Sequence, residues 1–140
     1  MAYVSRGFIP QTSLASNLGF TRPMYIPAGN ATATALYDIV KVSTSGSTVD
    51  TAGVPAGLIR CVRVSDKHDV PCGVIVGFIA DPDYLNQTYR SASTARVALV
   101  NYDPQVVLEA QEDDNGTTLA VARIGTPVDL VPGSIDTVTG

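Results

Sequence analysis

Apolar positions in this chain come in short blocks, some alternating with polar residues and some continuous, each closed by Gly, Pro, Ser, Thr, Asn or Asp. Residues 35–42 (ALYDIVKV) alternate loosely and run into the Ser/Thr/Gly-rich loop STSGSTVDTAGVPAG. Residues 58–64 (LIRCVRV) put Leu58, Arg60, Val62 and Val64 on one face and Ile59, Cys61 and Arg63 on the other. Residues 73–80 (GVIVGFIA) are apolar throughout, as a strand covered on both faces should be. A polar loop with a Pro turn, residues 81–93, leads to a strand over 94–102, and Asp103–Pro104 turns the chain. Residues 105–111 (QVVLEAQ) then send Val106, Leu108 and Ala110 one way and Gln105, Val107, Glu109 and Gln111 the other. Two more strands are predicted over 117–124 and 126–132.

Residues 1–34 have a different texture. Pro10, Pro23 and Pro27 interrupt them, and large apolar residues (Phe8, Ile9, Leu14, Leu18, Phe20, Met24, Tyr25) stand singly. An extended arm lying on the body or on a neighbouring subunit is the expectation, with an ordinary first strand and ragged terminus as its rival. The predicted organisation is therefore an arm over 1–34 and a β domain over 35–140.

Composition agrees with an all-β chain. Val and Thr are abundant, and no stretch of ten residues reads as a good helix former. About seven or eight strands without helices point to a β-sandwich, jelly roll or barrel. A formal charge of −4 and scattered arginines argue against nucleic acid as a partner, since counterion release needs clustered cations. The longest apolar run is too short to span a membrane as a helix, and the N-terminal residues lack a secretory pattern.

Each candidate for chemistry has a plainer explanation. Glu112, Asp113 and Asp114 precede Asn115–Gly116, a strong tight-turn signal, so their carboxylates fan out from a hairpin tip. That arrangement does not oppose two carboxyls across a substrate, and a calcium loop that also uses Asp81 and Asp83 matches no known ligand spacing. His68 is the single histidine and sits in the charged loop SDKHDVP, where solvent exposure is expected. Cys61, His68 and Cys72 lack the C-x2-C spacing of a zinc site. Cys61 and Cys72 would lie nearly opposite if their strands paired directly, though two small buried apolar residues is the simpler reading. No phosphate-cradling glycine motif occurs, so neither an enzyme nor a cofactor is expected. Tyr89, Arg90 and Arg96 suit either a structural contact or a protein interface.

Residues 19–42 (GFTRPMYIPAGNATATALYDIVKV), 73–104 (GVIVGFIADPDYLNQTYRSASTARVALVNYDP) and 108–140 (LEAQEDDNGTTLAVARIGTPVDLVPGSIDTVTG) resemble, in that order, the capsid cement or decoration proteins of tailed bacteriophages. The resemblance implies a jelly-roll-like β-sandwich with an extended N-terminal arm. It also implies a homo-oligomer, with a dimer favoured, that binds the major capsid protein on the exterior of the virion after synthesis in the host cytoplasm. On this reading Phe8, Ile9, Phe20 and Tyr25 of the arm, with Tyr89 and Arg90, carry the interface. The competing expectation is a carbohydrate- or receptor-binding β-sandwich of a phage tail or fibre, which the absence of Trp disfavours.

Overall fold

The computed structural model describes residues 7–14, 20–43, 56–111, 120–130 and 133. Seven strands run through them: β1 (Ile9–Ser13), β2 (Thr21–Ile26), β3 (Ile39–Val42), β4 (Cys61–Arg63), β5 (Gly73–Phe78), β6 (Arg96–Asn101) and β7 (Val106–Glu109). They form two antiparallel sheets, one of five strands in the order β2-β6-β5-β3-β4 and one of two, β1-β7. The all-β class read from the sequence holds, in a sandwich-like arrangement.

The five-stranded sheet rolls until its edges touch. The Tyr25 N–H in β2 donates to the Ile59 carbonyl just before β4 at 2.8 Å, and Tyr25 and Arg60 form a parallel bridge. Closure satisfies backbone groups that two open edges would leave to solvent or to another chain. Every strand of the roll sends side chains inward. Met24, Ile26, Val40, Cys61, Ile75, Ala98 and Val100 make the core, and period-two spacing is plain in Met24/Ile26 and Ala98/Val100. Val74 and Val97 are buried at the alternate positions, so β5 and β6 are covered on both faces at their centres.

Two local features let the sheet bend. Between Ile75 and Gly77 the β5–β6 register shifts, a bulge that sharpens the local twist. At Gly73 the neighbouring strand approaches so closely that an added Cβ would lie 2.3 Å from the Asn101 carbonyl oxygen.

Several sequence expectations need correction. Residues 1–34 are not an arm separate from a 35–140 body: β2 is hydrogen-bonded to β6 along its whole length, and Met24 and Ile26 fill the core. Pro23 misled the reading, yet an edge strand accepts a residue without an N–H. β1 pairs with β7, and the adjoining Phe8 N–H donates to the Tyr37 carbonyl at 2.9 Å. Residues 35–38 form a turn with Tyr37 at φ 66°, leaving only Ile39–Val42 as strand. In the predicted strand 117–124, Val121–Arg123 form a 3-10 turn with no buried residue, followed by Gly125 at φ 82°. Residues 126–130 are unpaired by any strand, and residues 117–119 and 131–132 lie outside the described residues. The acidic tip at 112–116 lies outside them as well. Seven described strands in sheets of five and two also differ from the eight strands in two sheets of a jelly roll.

Candidate protein-interaction surface

Arg90 and Arg96 were the most ambiguous candidates, and both face inward. Arg90 has no exposed surface. Its Nε donates to the Thr94 carbonyl at 2.7 Å, Nη2 donates to those of Pro27 and Asn30, both at 2.8 Å, and Nη1 donates to that of Thr32. Its backbone exchanges hydrogen bonds with Thr34 in both directions. Burial lowers the guanidinium pKa from 12.5, because a charge is costly away from water; the converging carbonyl dipoles offset that cost without a carboxylate. Arg90 therefore ties the 27–34 turn to the 81–95 loop and offers no contact to a partner. Its place in the predicted interface is withdrawn.

Arg96 stands beside it with a similar task. Its guanidinium carbon lies 4.9 Å from the centre of the Phe78 ring, and it donates to the carbonyls of Ile79, Tyr89 and Gln87. Tyr89 is thus held through its main chain, with its side chain half-buried. Tyr25 is also half-buried and lies on the seam that closes the roll.

The remaining predicted residues do not gather in one place. Phe8 and Ile9 are half-buried where the β1–β7 ribbon meets Tyr37. Phe20 lies elsewhere and is more than half exposed, at 54%. The Tyr102 N–H donates to the Phe20 carbonyl at 2.9 Å, and the two rings sit 6.2 Å apart at 39°. The Arg22 guanidinium carbon is 5.6 Å from the centre of the Tyr102 ring. Phe20 and Arg22 share the strand parity of Met24 and Ile26 but are solvent-exposed where those two are buried.

This cluster of two aromatic rings and a guanidinium is the feature of the surface most like a protein contact, since such side chains dominate binding energy when a partner covers them. The β1–β7 ribbon continues the apolar character nearby. Leu14, whose N–H donates to the Gln105 carbonyl, and Val107 are both exposed. Beneath them the buried Ser13 hydroxyl donates to the Asp103 carboxylate, which also accepts the Gln105 N–H and so stiffens the link from β6 to β7. Sequence reading missed Arg22 and Tyr102. The alternation of Phe20 and Arg22 with Thr21 was the one available signal, and nothing local showed that Tyr102 would meet them.

The other chemical candidates stay apart. The His68 side chain is 82% exposed with Nδ1 2.7 Å from the Asp66 carboxylate, whereas Cys61 has no exposed surface. Cys61 and Cys72 are free thiols; β3 lies between β4 and β5, so direct strand pairing of the two cysteines does not occur. Burial pushes the Cys61 thiol up to about 12, with the nearby Cys72 adding to the shift. Among the described residues no group of three or more His, Cys, Asp or Glu converges as a metal site, and no helix is long and apolar enough to cross a membrane. Comparison with protein-family models, with curated proteins and with solved structures finds no match to this chain.

Proposed function

We propose that this protein is a capsid cement or decoration protein, binding the outside of an assembled icosahedral phage head and clamping neighbouring major capsid protein subunits as a homodimer. The observation that carries the reading is the exposed Phe20–Arg22–Tyr102 cluster, set beside exposed Leu14 and Val107 on a closed β body. The sequence resemblance to phage head proteins supplies the identity of the partner.

The mechanism is linkage. A protein that binds the assembled lattice and not the separated subunits stabilises it by RT ln(1 + [L]/Kd) per site, and a site spanning two capsomers resists their separation. Two copies joined as a dimer add avidity to modest individual contacts. A rolled sheet with its edges joined suits this task, because a body that does not deform passes load from one contact to the other.

Sedimentation of purified protein with empty heads tests the reading. Co-migration at a fixed ratio to the major capsid protein is the expected result; a protein that stays in the supernatant at every ratio overturns it. Deleting residues 1–20 removes Phe20 and the strand that pairs with β7 but stops before β2 begins. This deletion should release the protein from heads while its β spectrum persists. Binding to a glycan array without binding to heads would instead favour a sugar-binding tail component.

A further inference from the structure

Arg22 differs from the other well-placed arginines in what its donors meet. Arg90 and Arg96 spend theirs on buried carbonyls, and Arg63 pairs with Asp38 at 3.1 Å. Arg22 is exposed and lies over the Tyr102 ring, and among the described residues it forms no ion pair. Its position is set by the backbone: Arg22 pairs with Val100 in the β2–β6 register, and the Tyr102 N–H holds the Phe20 carbonyl. Cation–π support confines a side chain that would otherwise lose rotamer freedom on binding.

We propose that Arg22 is the anchor for a carboxylate on the docking partner, an Asp or Glu set among apolar side chains that pack on Phe20 and Tyr102. This rests on the shell-clamp reading and names what the major capsid protein must present. A planar guanidinium with unspent donors matches a carboxylate in two parallel hydrogen bonds. The aromatic rings on either side exclude water from that pair, which raises its worth over that of an open surface pair. The chain's net charge of −4 works the other way at long range, so an acidic partner is held only where Arg22 meets it, and the contact sets register.

The experiment compares wild type, Arg22→Glu and Arg22→Lys for binding to empty heads over a concentration series, with thermal melts of each free protein. Arg22→Glu should weaken binding roughly thirtyfold or more, and Arg22→Lys about tenfold, with melts unchanged because Arg22 supports nothing internal. Wild-type protein that ignores heads sinks the shell reading and this inference with it. Wild-type binding matched by Arg22→Glu sinks the inference alone. A dimer of the free protein that Arg22→Glu dissociates would place the carboxylate on a second copy, which also overturns the assignment to the shell.

Discussion

The guanidinium of Arg90 donates to the carbonyl of Pro27 at 2.8 Å across 63 positions of the chain, with no carboxylate in attendance. Pro27 follows β2 directly, and Arg90 ends the long loop after β5, so this bond joins the seam strand to the loop that precedes β6. Four carbonyl oxygens, from Pro27, Asn30, Thr32 and Thr94, are satisfied by one side chain.

Replacing that side chain should therefore be costly. Arg90→Met keeps the bulk but leaves those carbonyls without partners, and a loss of about 3 kcal/mol is expected, since each unsatisfied buried acceptor costs on the order of 1–3 kcal/mol. Arg90→Lys should recover part of the loss because an ammonium reaches fewer of the oxygens. Urea midpoints of the three proteins measure this, and equal midpoints for wild type and Arg90→Met would refute the clamp.

Gly73→Ala tests the close approach of β5 to β6. The new Cβ would lie 2.3 Å from the Asn101 carbonyl oxygen and 2.7 Å from Val100 Cγ1, so a strand must shift. Overpacking of this kind costs about 1–3 kcal/mol, read as a lowered melting temperature. Gly77→Ala is the control, since its nearest neighbour would be Leu99 Cδ1 at an ordinary 3.5 Å. It should melt close to wild type apart from the small loss of bulge geometry.

Cys61 makes the fold sensitive to alkali. Burial raises its thiol from 9.0 to about 12, so the folded state keeps a proton that the unfolded chain gives up first. The stabilisation is complete below pH 9 and falls away as pH rises toward 12, because there the unfolded chain binds fewer protons. Cys61→Ala should be less stable at neutral pH through its cavity, yet lose less on going from pH 8 to pH 10.5. In the native protein at pH 8 an alkylating reagent should modify half-buried Cys72 well before buried Cys61, as peptide mass mapping would show.

Asp69 gives the opposite sign. Its carboxylate accepts the Lys41 ammonium at 2.5 Å and the N–H groups of Ser65 and Asp66 at 2.9 and 3.0 Å, and these hold its pKa down at about 2. The hydrogen bond from Lys41 is the largest cause. The order it brings to the 65–69 turn persists above pH 4 and is lost as pH falls toward 2. In carboxylate NMR titrations Lys41→Met should move the Asp69 midpoint upward. A midpoint that stays put would show that the backbone donors alone set it.

Much of the sheet was legible beforehand. Gly73–Phe78 reads as a doubly covered strand because it is doubly covered, and Val106–Glu109 alternates half-buried with exposed as its pattern predicts. Val121–Arg123 alternates too, yet no element packs on it, and Gly125 followed by Pro127 turns the chain away from pairing. Alternation marks a segment able to form a strand; a partner must still supply the hydrogen bonds. β2 was misjudged for the converse reason. Its own pattern is short and broken by Pro23, but β6 offers six paired residues from far along the chain. Phe20 was a sound choice for an exposed contact, while Arg90 beside Tyr89 had the composition of an interface and the placement of a core residue.

By itself the sequence determined the all-β class, the core strands β5 and β6 and the turns that bound them, because period-two burial is written into neighbouring side chains. Tertiary structure alone decided that the five-stranded sheet would roll until Tyr25 meets Ile59, and which arginine faces water and which lies inside. A guanidinium goes where acceptors converge. For Arg90 those are carbonyls of a distant turn, and for Arg22 an aromatic ring two strands' length away in sequence, so neither environment exists until the chain has folded.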